Sequence, residues 1–224
     1  MKTVAKGLLS ATLGLIAFGL LLFLPAGTTH YWQGWAFLTV FALSTWIPTV
    51  YLLRTNPAAL ERRMQVGPKA ETRPLQRILI TVIFIAFPAA FVVSALDWRF
   101  GWSQVPVAVS VIGDVLVAVG LGLAMLVIIQ NSYAAANVRV ESGQTLVSTG
   151  LYGLVRHPMY TGNVVLMLGI PLALGSYWGL FLLVPGMLVL VLRIRDEERL
   201  LEQELSGYRE YEQKVRYRLM PYVW

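Results

Sequence analysis

A chain of 224 residues that is 57% hydrophobic and only 13% charged carries about half the charge of a water-soluble domain, and it has no long polar stretch to form one. The net charge of +6 does not mark a nucleic-acid groove, because the basic residues lie in short segments between apolar runs. Cysteine is absent, which excludes disulfides, thiolate metal sites and a cysteine nucleophile.

A bilayer core about 30 Å thick takes roughly 20 apolar residues per helix. Residues 7–24, 35–53, 78–96 and 106–130 meet that requirement and predict four spans. Lys2 and Lys6 ahead of the first run also fit a secretory leader, but the length of the run and the spans after it favour a membrane helix. The last apolar stretch, 161–192, is interrupted by Pro171, Gly175, Ser176 and Gly179. It is long for one helix and short for two full ones. It predicts a tight hairpin of two helices of about 15 residues, roughly 22 Å each.

Charge supports six segments. With the N-terminus inside, seventeen of the eighteen Lys and Arg residues fall on the cytoplasmic side and Arg99 alone falls outside. A single final helix would move seven positive charges outside. Trp32, Trp35, Trp98, Trp102, Tyr177 and Trp178 then lie near outer span ends, as in an interfacial aromatic belt. Asp114, within the fourth span, predicts a structural hydrogen bond between helices, and Gly113, Gly120 and Gly122 predict close helix packing.

Two polar segments flank the hairpin. Gly150-Leu-Tyr-Gly-Leu-Val-Arg-His-Pro-Met-Tyr-Thr-Gly162 enters it, and Arg195-Asp-Glu-Glu-Arg-Leu-Leu201 follows it. A hairpin returns the chain to its entry side, so Arg156 and His157 should face Glu197 and Glu198. Such a mixed-sign pocket suits a zwitterion: Arg156 and His157 for a carboxylate, Glu197 or Glu198 for an ammonium or ribose hydroxyls, Tyr152 and Tyr160 for an adenine or a sulfonium. S-adenosyl-L-methionine carries all of these groups. Snorkelling and capping at a helix start, with a solvated acidic helix face, explains the same residues without a ligand. A metal is not expected, since His157 has only His30 as a fellow histidine, on the other side of the membrane. Residues 196–215 carry apolar or aromatic side chains at 200, 201, 205, 208, 211 and 215, the spacing of an amphipathic helix that lies on the membrane or closes over a ligand.

The order Arg156-His157-Pro158-x-Tyr160-x-Gly162, then Glu197-Glu198-x-x-Leu201, then Tyr208-x-x-Tyr211 and Arg218 resembles the isoprenylcysteine carboxyl methyltransferase and phospholipid methyltransferase superfamily, over roughly residues 140 to 222. The segment Asn56-Pro57-Ala-Ala-Leu60-Glu61-Arg62-Arg63 looks like a loop of its bacterial members. The resemblance implies an all-α integral membrane fold with a C-terminal cap helix, N-terminal transmembrane helices over 1–130 and a cofactor-binding region over 131–224. It implies a membrane methyltransferase that uses S-adenosyl-L-methionine. His157, Pro158, Tyr160, Glu197 and Glu198 would contact the cofactor, and Val147, Gly150, Leu151 and Tyr152 would line the adenine region. Arg156 and Arg218 stand as acceptor-side catalytic candidates, with Glu198 as proton acceptor for an amine or phenol. The partner is a lipophilic or lipid acceptor entering from the bilayer, either an isoprenylcysteine-like carboxylate or a lipid head group. A bacterial inner membrane, with both termini and the site cytoplasmic, follows from the bacterial likeness and the charge count. Two other readings compete: an NADPH-dependent reductase of the sterol-reductase type, which shares a related hairpin and Arg-His-Pro element, and a small transporter or scaffold.

Overall fold

Proline opens several helices, because it lacks the N–H that the first turn leaves unbonded. Pro57, Pro74 and Pro158 stand at the first turn of three of them, and Asn56 caps the first of these by accepting from Ala59 N at 3.1 Å. In this computed structural model, residues 2–134 and 136–224 are described, with side chains of the first helix described from Thr12 onward. The side chains of Lys2 and Lys6, used above for topology, lie outside the described residues.

The helices are α1 (Lys2–Ala26), α2 (Trp32–Thr55), α3 (Pro57–Met64), α4 (Pro74–Phe100), α5 (Val107–Gln130), α6 (Pro158–Ala173), α7 (Leu183–Glu204) and α8 (Tyr208–Lys214). Among the described residues there is no strand. Four helical stretches are long and apolar enough to cross a membrane, Trp32–Thr55, Pro74–Phe100, Val107–Gln130 and Trp178–Glu204, while Thr12–Ala26 and Pro158–Ala173 are shorter apolar helices. Among the described residues these make six apolar helical segments, and the final apolar stretch is the hairpin α6–α7, turned at Gly175 (φ +69°).

The hairpin arms are not equal. The first is 16 residues, roughly 24 Å, and the second continues as helix for 22 residues, roughly 33 Å, well beyond its apolar part. Its polar half stays helical because Arg193 and Asp196 are paired, as described below. The predicted single tail helix over 196–215 is also corrected: Gly207 (φ +83°) breaks it, and α8 restarts at Tyr208. Leu205, Tyr208 and Tyr211 pack together with Val140 and Leu146, so these apolar positions cover a loop.

α5 and α6 pack antiparallel at close range. A Cβ on Gly113 would lie 2.1 Å from Ala173 N, one on Gly120 2.8 Å from the Gly162 carbonyl, and one on Gly169 2.8 Å from Val117 N. Gly113 and Gly120 are therefore contact positions, whereas Gly122 meets nothing within 4 Å and is not. Asp114 is buried, but its Oδ1 has no hydrogen-bond partner, so the interhelical bond expected of it is not made by that oxygen.

At the end of the bundle away from the Arg-His-Pro segment, Asp97 is fully buried. It accepts from Ser103 N and Oγ, each at 2.7 Å, from Ser176 Oγ and from Trp178 N at 3.3 Å. The hairpin turn is thereby tied to the α4–α5 loop. Trp32, Trp35, Trp102, Tyr177 and Trp178 are exposed around this end, while Trp98 is partly buried against Tyr31.

Candidate functional site

The opposite end is built from four segments that the chain keeps apart in sequence. The tail after α8 runs back over the start of α6: Arg156 N donates to the Tyr217 carbonyl at 2.8 Å and His157 N to that of Arg218 at 2.9 Å. Thr161 Oγ1 donates to the Leu219 carbonyl at 2.7 Å. Gly150 adopts φ +62° and lies against Gln130, where a Cβ would come 2.7 Å from Oε1; that same oxygen accepts from Leu151 N at 2.9 Å. Tyr152 is fixed from both sides, its hydroxyl accepting from Asn131 Nδ2 at 3.1 Å and its carbonyl accepting from the Tyr211 hydroxyl at 2.7 Å. Burial pushes the Tyr152 phenol up to about 12, so it is a neutral hydrogen-bonding ring at pH 7. Burial likewise raises the Tyr208 and Tyr211 phenols.

Arg156 and His157 meet the acids after the hairpin, and the two glutamates behave differently. Glu198 is 4% exposed and engages three cationic or imidazole groups. Arg156 Nε is 2.9 Å and His157 Nε2 3.2 Å from Oε1, and Arg218 Nε is 2.8 Å from Oε2. The Arg156 Nε–H is not aimed at that oxygen, so the contact is an ion pair without a hydrogen bond. Glu197 is half-buried and accepts from the Tyr160 hydroxyl, which in turn accepts from Arg193 Nε at 3.1 Å.

Arg193 was not anticipated. It is 4% exposed and donates to Gln76 Oε1 at 2.8 Å, Glu71 Oε1 at 2.9 Å and the Ala136 carbonyl at 2.8 Å. Glu71 also accepts from Val138 N at 3.1 Å, and Asp196 is held by Arg73 at 2.6 and 2.8 Å and by Gln76 at 2.8 Å. The connection between α2 and α4 is thus bound to both α7 and the loop after α5. A second clasp lies further out, where Glu141 accepts from Arg62 at 3.0 Å and Arg139 at 2.7 Å, and Arg139 also reaches Gln65 at 2.9 Å. Burial works to raise the Glu141 carboxyl, but the Arg62 and Arg139 hydrogen bonds outweigh it and hold the group below the usual carboxylate range.

These segments enclose a cavity of about 240 Å³. Val147, Tyr152, Arg156, His157, Pro158, Tyr160 and Glu197 line it; of the other residues expected at the site, Gly150, Leu151, Glu198 and Arg218 do not. Arg218 instead covers the Trp224 ring at 5.3 Å. Arg63, Arg139 and Arg193 add cationic groups to the wall, and Tyr208 and Asn137 add polar ones. The Tyr208 hydroxyl and Asn137 Oδ1 are buried and have no hydrogen-bond partner within the protein. Arg139 Nε and Arg156 Nε, on the same wall, also lack a hydrogen-bond partner. Buried polar atoms are normally satisfied, so these orphans on one cavity wall fit a polar ligand.

A second cavity of about 240 Å³ lies beside the first, between α4, α6 and α7. Ile83, Asn163 and Leu190 line both. Apart from Asn163 its wall is apolar, with Phe87, Met167, Ile170 and Leu183 among its residues. Together the two reach the size of ligand sites, roughly 300–1,000 Å³.

A cavity with charged and polar walls thus adjoins an apolar slot at this end of the helical bundle. The model of the phospholipid methyltransferase family matches residues 109–206, from α5 to the turn after α7. That family lies within the isoprenylcysteine carboxyl methyltransferase-like superfamily that the chain's motifs resemble. It is also similar to the Delta(14)-sterol reductase of Mus musculus, with 34% identity over 90 residues, 39% of this chain and 22% of that protein. The matched region spans about a fifth of that relative's length.

Proposed function

We propose that the protein is a membrane methyltransferase that uses S-adenosyl-L-methionine and methylates a lipophilic acceptor reached from the bilayer. The observation that carries this reading is the wall of Ile83, Asn163 and Leu190, which lines both the polar cavity and the apolar slot. The family match supports methyl transfer as the reaction.

The residues present fit the cofactor. Glu197 supplies a carboxylate for an ammonium or for ribose hydroxyls, and Arg63, Arg139 and Arg193 supply positive charge for a carboxylate. Tyr152, Tyr208 and Val147 offer the aromatic and apolar wall that an adenine requires, and the orphaned Tyr208 hydroxyl and Asn137 Oδ1 add hydrogen-bonding capacity. When bound, S-adenosyl-L-methionine supplies an electrophilic methyl group on a positively charged sulfur. The chain's own contribution is positional: Tyr160 and Arg193 hold Glu197, and Glu198 holds Arg156, His157 and Arg218. In this proposal Glu197 is a cofactor-binding carboxylate, and Glu198 acts through the residues it orients. The site faces the cytoplasm of a bacterial inner membrane, as the charge distribution favours.

Incubation of purified protein in lipid nanodiscs with methyl-labelled cofactor and a total lipid extract tests the reading. Label transferred to an extractable lipid supports it, and label retained wholly in the cofactor by a folded sample opposes it. The partial likeness to a sterol reductase and the several arginines on the cavity wall favour one second reading, reduction with NADPH. Oxidation of NADPH in the same assay would promote it.

A further inference from the structure

Resting on the proposed role of the apolar slot, we infer that Gly186 and Met167 together set the length of acceptor tail that the site admits. The slot takes in residues 83 to 90 of α4, 163 to 171 of α6, and 183 to 190 of α7 with Leu182 just before it. At 1.5 Å per residue each helix gives a depth of roughly 10–12 Å. Ile83, Asn163 and Leu190 mark its mouth, where the polar cavity begins, and Pro171, Gly179 and Leu182 lie at its other end. Gly186 and Met167 are each four residues from the mouth, so they face one another about 6 Å down, half-way along.

The contact between them is side chain on glycine. A Cβ on Gly186 would fall 2.3 Å from Met167 Cε, which means that the Met167 methyl rests where a side chain would otherwise stand, and both residues line the slot. This glycine differs from those between α5 and α6. Gly113, Gly120, Gly162 and Gly169 would each drive a Cβ into a backbone atom within 2.9 Å, so they serve helix approach. Gly186 meets only Met167 within 4 Å, at that residue's flexible end. Its missing side chain leaves room in the slot, and an unbranched, adaptable methionine closes that room or yields it. The waist so formed admits a single slender chain beyond it and stops a branched or bulky one at half depth.

The absence of cysteine makes this testable without knowing the acceptor. Asn163→Cys at the mouth supplies a single thiol. Protein in nanodiscs is treated with n-alkyl methanethiosulfonates of increasing chain length, each forming a disulfide with the thiol as methanesulfinate leaves, and the melting temperature of every adduct is read. The expected result is a melting temperature that rises with chain length until the slot is filled and then falls. Adding Gly186→Leu should shorten the best chain to about half, because the tail then stops at the waist. Adding Met167→Ala instead should let a branched alkyl adduct stabilise the protein where the parent rejects it, and this variant tests the inference should Gly186→Leu fail to fold. An optimum that is the same in every folded background overturns it. S-adenosylhomocysteine binding by the unmodified wild-type protein separates the two ideas. A shifted optimum without such binding keeps the gauge and removes methyl transfer, while binding with an unshifted optimum does the reverse.

Discussion

Glu197 and Glu198 adjoin in the chain but serve different partners. Glu197 takes the Tyr160 hydroxyl at the cavity wall, whereas Glu198 is buried among Arg156, His157 and Arg218. Consecutive residues of a helix point about 100° apart, so a single turn divides a ligand-facing carboxylate from one that fastens the tail to the entry of α6.

Glu197→Gln is therefore expected to weaken cofactor binding by about tenfold or more, the scale of a lost charge-assisted hydrogen bond, with little change in melting temperature. Glu198→Gln is expected to act on stability first. It leaves Arg156, itself 7% exposed, without its main counter-charge, and breaking a buried pair costs about 3–5 kcal/mol. Thermal unfolding in detergent, read beside calorimetric binding, checks both. Equal stability of the two variants would contradict this division of roles.

The sequence carried the first half of that division and not the second. The positions of Arg156, His157 and the acids after the hairpin were legible because a hairpin must return the chain to its own side. Which glutamate faced inward was not, since rotation about α7 is set by what packs on it. Arg193 and Glu71 were missed for a related reason. Arg193 stands at the edge of an apolar run and reads as a snorkelling cation, and its partner lies 122 residues away in a connection with no periodicity. Gly113 and Gly120 were readable as packing positions from residue type alone, but nothing in the sequence separated Gly122 from them. The break at Gly207 was visible only as a glycine within a pattern otherwise helical.

Tyr160→Phe removes the hydroxyl that joins Arg193 to Glu197 while leaving the ring in place. Cofactor affinity should fall by about tenfold to a hundredfold, because both lost bonds involve charged partners. Calorimetry on the variant checks this; unchanged affinity would show that the bridge does not position Glu197.

Arg193→Met should destabilise the protein by about 3–5 kcal/mol, since it strands the carboxylate of Glu71, which is 2% exposed. Adding Glu71→Gln should recover part of that loss. A double-mutant cycle on thermal unfolding measures the coupling, which should exceed about 1 kcal/mol for residues in direct contact.

The clasp of Arg62, Arg139 and Glu141 should open in acid. The folded carboxyl lies below its ordinary value, so the clasp's contribution is fully present above the ordinary carboxylate pKa and is lost as pH falls through the folded one. Hydrogen exchange of residues 57–65 and 131–141, corrected for the intrinsic rate, should quicken below about pH 4. Glu141→Gln should remove that pH dependence, and the effect should shrink in high salt because the pair is partly exposed.

The most direct test of the central claim is calorimetric binding of S-adenosylhomocysteine to the purified protein, beside His157→Ala and with NADPH as the competing ligand. Saturable binding to the wild type, clear weakening in His157→Ala and no binding of NADPH are expected. A well-folded protein that binds no S-adenosylhomocysteine, or that binds NADPH in its place, would contradict it.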